Sequence, residues 1–204
     1  MERFLLIVGT NENKVVLVAH ADTYFDATYG NEKQQHLVIE ENGLFISHNA
    51  NGVKIGLGAD DRAGCAILWL LLESGHSILI TDGEEHGRLG STWLMEHNPD
   101  IADLINSHQF IIQFDRRNST DYKCYNVGTD EFRKFIQEKT GFSEPNRSSY
   151  TDICTICRDI CGVNFSIGYY DEHSGDERIN ISEWHNTLRI SQKLLGNALP
   201  KFKR

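Results

Sequence analysis

Glu84 and Glu85 stand side by side in the stretch Thr81-Asp82-Gly83-Glu84-Glu85-His86-Gly87. Neighbouring side chains of an extended segment point opposite ways. One carboxylate can therefore face a metal while the other faces whatever that metal activates. Adjacent glutamates are most often solvated loop charge, so the pair becomes a site only if the rest of the chain supplies matching ligands. His20-Ala21-Asp22 follows an apolar run, and a period of two puts His20 and Asp22 on the same side. Asp60 lies in Gly56-Leu57-Gly58-Ala59-Asp60-Asp61-Arg62-Ala63-Gly64, Asp115 ends the run from Phe110, and His173 follows the run that ends at Gly168. Two histidines with several carboxylates suit zinc or a similar borderline divalent ion. A two-metal site needs a shared carboxylate and terminal ligands on each side. Five protein ligands and one free carboxylate fit that design.

These residues need strands that end together. Phe4 to Val8 and Val15 to Ala19 are apolar, β-branched runs and read as a hairpin or as adjacent strands. The second is apolar throughout, as a fully buried strand should be. Residues 23 to 36 read as a polar loop, and 37–40 with 44–47 as a hairpin about Glu41-Asn42-Gly43. A helix to about Ser74 follows, with Ala63, Ala66, Ile67, Leu70 and Leu71 as its apolar stripe and Gly75 closing it. Ser77 to Thr81 is a buried strand that feeds the glutamate loop. Helices are expected over 91–97 and 101–107, strands over 110–114 and 122–127, and a helix over 129–139 with Thr129 as its N-cap. A helix over 152–161, a strand over 163–168 and a long helix over 182–199 complete the chain. Strands alternating with helices give an α/β class, a three-layer α/β/α domain about a mostly parallel mixed sheet. In such sheets functional groups collect at the carboxyl ends of strands, where these candidates lie.

The chain's 204 residues hold 20 basic and 29 acidic side chains, a net charge of −9. That is enough chain for one domain with a proper core, and a single catalytic domain over 1–204 is expected. The acidity makes nucleic acid an unsuitable partner. No apolar run is long enough for a membrane span. The N-terminus runs straight into strand-like sequence without a signal peptide's apolar core. Five cysteines form no secreted disulfide pattern. The expectation is a cytoplasmic protein with reduced thiols.

Five segments together resemble the co-catalytic zinc peptidase superfamily of aminopeptidases, dipeptidases, carboxypeptidases and N-acyl amino acid deacylases. They are Val18-Ala19-His20-Ala21-Asp22-Thr23, Gly58 to Gly64, Asp82 to Gly87, Phe114-Asp115, and His173-Ser174-Gly175-Asp176-Glu177, in the family's order. The resemblance implies two zinc ions per chain, with cobalt or manganese as alternatives. It makes Asp60 the bridging ligand, aligned by Gly64, and its peptide bond to Asp61 is often cis in the family. His20 and Asp115 would hold one metal and Glu85 and His173 the other. Glu84 would be the general base toward a metal-bridging water. Asp22 would hydrogen-bond His20 and fix its tautomer. Ser149-Tyr150-Thr151-Asp152 resembles the family's Thr-Asp turn near the substrate pocket.

Only 36 residues separate Asp115 from Asp152, and only 39 separate His20 from Asp60. Neither gap holds the lid or dimerisation domain that many relatives carry, so the expected layout is a stripped catalytic core that a homo-oligomer or partner could complete. The resemblance implies an amide-cleaving hydrolase, foremost an aminopeptidase acting on a small peptide. An N-acyl amino acid or cell-wall peptide deacylase is the alternative, and a catalytically silent metal-binding interaction protein is the third reading. An acidic pocket edge favours the first. A basic residue for a substrate carboxylate, drawn from Arg62, Arg88, Arg116 or Arg117, favours the second. Cys154, Cys157 and Cys161 read as a buried helix face, Trp69, Trp93 and Trp184 as packing, Asp61 and Arg62 as a helix cap pairing with each other, and His86 as pocket rim.

Overall fold

The computed structural model describes residues 3–25, 36–146 and 149–204. The loop expected over 23–36 lies mostly outside them. A six-stranded mixed sheet forms the middle layer. Its order is β1 (Phe4–Ile7), β6 (Ser77–Thr81), β2 (Val16–His20), β7 (Ile111–Arg116), β9 (Gly162–Ser166), β8 (Tyr122–Lys123). The four central strands are parallel, and β1 and β8 run antiparallel at the edges. Every residue of β2 is buried, as a strand covered on both faces requires.

Alternate residues of the sheet feed two cores. On one face Val15, Leu17, Ile112, Phe114, Val163 and Phe165 pack with helices α1 (Ala59–Leu70), α4 (Asp130–Thr140) and α6 (Ile181–Leu195). On the other, Val16, Val18, Leu79 and Ile111 pack with α2 (Leu89–His97), α3 (Pro99–Asn106) and the single turn α5 (Ile153–Ile156). This is the expected three-layer α/β/α arrangement. A second, five-stranded sheet joins the hairpin β3 (Leu37–Glu41)/β4 (Leu44–His48) to β5 (Lys54–Ile55), β11 (Arg178–Asn180) and β10 (Tyr169–Tyr170). It brings the turn that carries His173 back to the chain ahead of Asp60.

Several expectations are corrected. The first two strands do not pair: β6 lies between them and pairs with both, antiparallel to β1 and parallel to β2. Of the α1 stripe, Ala63, Ile67 and Leu71 are buried, but Ala66 and Leu70 are exposed. The buried arc is completed by Gly64 and Leu68 instead. The helix stops at Leu70, and a 3-10 turn over Leu72–Ser74 reaches the left-handed Gly75. The strand read over 122–127 shrinks to two residues. Trp69 is 74% exposed and Trp93 46%, so neither is core, while Trp184 is half-buried and donates from Nε1 to the Ala63 carbonyl at 3.0 Å.

The helix expected over 152–161 is four residues long. Asn106 accounts for the difference. Its Oδ1 accepts from the backbone N–H of Arg158 and of Asp159, both at 2.9 Å. Two amides that would have continued the helix are bonded elsewhere. Cys157 and Cys161 are still buried and all five thiols are free, but they do not share a helix face. Thr129 caps α4 as expected, accepting from Phe132 N at 3.2 Å.

Candidate metal centre

β2 and β6 run side by side with His20 level with Thr81. The two segments that leave their carboxyl ends, His20-Ala21-Asp22 and the glutamate loop, therefore emerge as neighbours. Asp22 ties them together. Its Oδ1 accepts from Gly83 N at 2.7 Å and Glu84 N at 3.0 Å, and its Oδ2 from Glu85 N at 3.1 Å. This corrects the role expected of it. The partner that fixes His20 is the backbone carbonyl of Asp22, which accepts from Nδ1 at 2.9 Å, whereas the carboxylate stays 3.4 Å from that nitrogen. Holding the proton on Nδ1 leaves Nε2 for the cleft.

Nε2 of His20 is 3.1 Å from Asp60 Oδ1 and 3.6 Å from Asp115 Oδ1. The other oxygen of Asp60 is 3.4 Å from His173 Nε2, which is 2.8 Å from Glu85 Oε1. Asp60 thus stands between the two histidines, one oxygen toward each. Glu84 lines the same cleft as Asp60, Glu85, Asp115 and His173. The cleft has a volume of about 470 Å³. All seven residues singled out from the sequence, His20, Asp22, Asp60, Glu84, Glu85, Asp115 and His173, come together here.

A supporting shell aims these groups. The Asp60–Asp61 peptide bond is cis. Asp61 is fully buried; it accepts from Gly64 N and from His20 N, each at 3.1 Å, so it caps α1 and tethers it to the end of β2. A Cβ on Gly64 would sit 2.1 Å from the Phe114 carbonyl and 2.3 Å from Asp61 Oδ1, so the close crossing of α1 over β7 requires glycine there. Arg62 faces an apolar groove away from the cleft, its Nη1 3.5 Å from the Leu57 carbonyl. Asp115 accepts from Thr151 Oγ1 at 2.7 Å and Gln113 Nε2 at 2.8 Å, while its backbone exchanges two bonds with the Asn164 amide. Asp152, next to Thr151, accepts from Ser91 and Thr81. Half-exposed His86 keeps its place on the rim, 3.8 Å from Asp22.

Sequence reasoning missed Glu177, Gln113 and Asn164. Glu177 is 1% exposed and accepts from Gly58 N at 2.6 Å and Asp60 N at 3.0 Å, which holds the backbone that carries Asp60. Gln113 and Asn164 interrupt apolar strands with an amide. A buried polar side chain in such a place needs a partner, and that was a readable signal.

Burial opposes charge on His20, but the carboxylates of Asp115, Asp22 and Asp60 around the ring outweigh it and raise its pKa well above 6.5. Hydrogen bonds to Asp60 and Glu85 raise His173 to about 10. Burial, then repulsion from Asp60, lifts Asp115 to about 6. Burial, then repulsion from Asp115, lifts Glu84 to about 9. Carboxylates crowd each other here, and a bound cation would relieve that repulsion. The donor set, with carboxylate and imidazole atoms of His20, Asp60 and Glu85 and of His20, Asp61 and Asp115 within 4.8 Å of one another, fits divalent metal.

No protein-family profile and no curated protein matches this sequence. Solved structures do. Aminopeptidase PepT from Bacillus cereus superposes with a TM-score of 0.63 at 13% identity, over 94% of this chain and 83% of that one. A tripeptidase from Staphylococcus aureus gives 0.62 at 13%, again over 94% and 83%. An aminopeptidase from the archaeon Desulfurococcus kamchatkensis gives 0.57 at 13%, over 97% and 83%. The chain shares the fold of these peptidases. The five motif segments and the three-layer architecture thus point the same way.

Proposed function

We propose that this chain is a metal-dependent hydrolase of amide bonds, an exopeptidase of the aminopeptidase type. The observation that carries the reading is Asp60, with one carboxylate oxygen toward His20 and the other toward His173. In this reading Asp60 would lie between two divalent ions, zinc foremost. His20 and Asp115 would hold one, and Glu85 and His173 the other. Bound metals would polarise the scissile carbonyl and acidify water. The chain's own residues do the rest. Glu84, held in place through the Asp22 clamp on its backbone, takes a proton from the attacking water and returns it to the leaving amine. His20 keeps its orientation through the Asp22 carbonyl, and Asp115 through Thr151, Gln113 and Asn164.

Two features of the cleft favour a free-amine substrate. Its edge is acidic, and Glu172 offers a buried Oε2 that has no hydrogen-bond partner among the described residues. Its Oε1 accepts from Arg117 Nη1 at 2.7 Å. A substrate ammonium group would satisfy the free oxygen. Residues 1–204 act as one catalytic domain in this proposal, and as a homo-oligomer. A structural neighbour, the Pyrococcus horikoshii TET1 peptidase, is described as assembling into a tetrahedron or a large octahedral shell, and β3, at the edge of its sheet, has all five residues exposed. Sedimentation velocity checks the association. No helix of the described residues is long and apolar enough to cross a membrane.

The test is hydrolysis of a pooled panel of amino-acid amides, dipeptides and N-acyl amino acids by zinc- or cobalt-loaded protein, with Glu84→Gln beside it. We expect cleavage by the wild type, a loss of about 10³-fold or more in Glu84→Gln, and equal metal content in both. Loss of metal from Glu84→Gln would contradict its role as a base. No cleavage at all by metal-loaded wild type would move the assignment to a silent metal-binding protein.

A further inference from the structure

Four arginines were candidates for contacting a substrate, and the fold separates them. Arg62 faces the apolar groove. Arg88 donates to Thr155 Oγ1 at 2.6 Å, with its guanidinium 5.0 Å from the centre of the Tyr150 ring. Arg117 lines the cleft but is paired with Glu172. Arg116 lines the cleft and is different from the other three. It is 7% exposed, and its ionic neighbour among the described residues is Asp121, whose Oδ2 is 3.7 Å from Nη2. That same oxygen already accepts from Asn118 Nδ2 at 3.0 Å. The buried Nε of Arg116 has no acceptor at all among the described residues.

A buried guanidinium with an unused N–H and a carboxylate beyond hydrogen-bond reach is a costly arrangement, because a charge taken out of water needs both a partner and hydrogen bonds. The backbone fixes where that cost falls. Arg116 directly follows Asp115 at the end of β7, so its Cα is anchored beside the metal centre. Residues lining the rest of the wall, Tyr125, Asn146, Ser149 and Tyr150, are polar or aromatic and neutral. Among the described residues, the guanidinium is thus a weakly compensated positive group, with Asp121 at 3.7 Å, in a cleft whose other charges are carboxylates, the two histidines and the Arg117–Glu172 pair. Arginine presents a planar fork that suits a carboxylate.

We propose that Arg116 binds the terminal carboxylate of the substrate, and that this enzyme therefore acts on short substrates ending in a free carboxylate within one residue of the scissile bond. Dipeptides are the first such class, since Glu172 offers an acceptor for the amine at the same time. N-acyl amino acids share the carboxylate and lack the amine. The inference rests on the proposed hydrolase reading and deepens it. It also gives a substrate contact to the catalytic domain itself.

The experiment compares kcat/KM for a dipeptide, the same dipeptide blocked as its C-terminal amide, and the N-acetyl amino acid with the same C-terminal residue. Wild type, Arg116→Gln and Arg116→Lys are run with matched metal content. We expect the wild type to prefer the free dipeptide over its amide by roughly 10- to 100-fold, the size of a charge-assisted contact. The preference should collapse toward one in Arg116→Gln, mainly through KM, and return in part in Arg116→Lys. Binding of the uncleaved dipeptide to Glu84→Gln protein, measured by calorimetry, should weaken by the same factor when Arg116→Gln is added. Faster turnover of the N-acetyl compound than of the dipeptide would keep the carboxylate contact and reassign the amine end. Equal rates on dipeptide and amide by the wild type would overturn the inference while leaving the hydrolase reading intact. So would an Arg116→Gln loss that is the same on both, which marks a structural role. No turnover of any substrate would count against the hydrolase reading itself, and calorimetry would then decide the carboxylate contact alone.

Discussion

At the scale of single residues, Asp60 is positioned from both sides. Its backbone is held by Glu177, and its carboxylate lies between two histidines. A hydrogen bond to a charged acceptor contributes about 1.5–3 kcal/mol, and Glu177 accepts two from buried amides. Glu177→Ala should therefore destabilise the fold by about 2 kcal/mol, read by urea unfolding. It should also weaken metal binding roughly 10- to 100-fold, as loss of a group that orients a ligand does, read by competition with a chromogenic chelator. Unaltered metal affinity would mean that Asp60 is held without it. The ligand candidates themselves were legible because each is a polar residue at the end of an apolar run. Glu177 was not. It sits in an exposed-looking turn, His173-Ser174-Gly175-Asp176-Glu177, and only the fold shows that this turn folds back onto Gly58.

At the scale of elements, strands were read well and helix ends badly. β2, β6, β7 and β9 are short apolar runs whose burial the alternation-free pattern announces. The helix over 152–161 failed because its end is dictated from α3, about fifty residues earlier. Asn106 accepts from Arg158 and Asp159 through Oδ1, and its Nδ2 donates to the carbonyls of Ala102 at 2.9 Å and Ile156 at 3.1 Å. No local propensity contains that instruction. Asn106→Ala would remove all four of these hydrogen bonds. A loss of about 3 kcal/mol follows, with a drop in Tm on the order of 10 °C, measurable by calorimetry. The same limit explains Trp69 and Trp93. Helical period marks a side chain as facing something, but not whether a neighbour is there, and α1 and α2 turn these rings outward. The pairing of β1 was misread for a related reason: nearness in sequence suggested β2, while the sheet inserts β6 between them.

Across the whole molecule, the end of the sheet opposite the cleft carries an acid-sensitive pair. His76 Nδ1 accepts from Val15 N at 3.2 Å, and its Nε2 is 3.3 Å from the Leu195 carbonyl. His108 bonds Ser77 Oγ at 2.7 Å and the Leu104 carbonyl at 2.8 Å. Burial lowers both pKa values from 6.5. The folded state therefore binds fewer protons than the unfolded chain once the pH drops below about 6.5. Both forms are neutral above that pH, so this contribution vanishes there, and stability falls as the pH falls toward the depressed folded values. Protonated His76 would set an N–H against the N–H of Val15. His76→Asn keeps an acceptor without a titrating ring. It should flatten the loss of stability between about pH 6.5 and 5, followed by denaturant midpoints across that range, and an unchanged slope would place the acid sensitivity elsewhere.

The strand order also governs how the chain is made. In the central sheet only β8 and β9 are sequence neighbours that pair. β2 finishes at His20, yet its partners are residues 77–81 and 111–113. During synthesis at about 5–20 residues per second, the fully buried strand β2 waits several seconds before either neighbour exists, and His20 at its tip waits longer still for His173. The nascent chain therefore carries Val-Leu-Val-Ala-His as an unpaired segment until residues 77–81 follow it. The cleft that gathers His20, Asp60 and His173 is therefore a late product of assembly and not a seed for it.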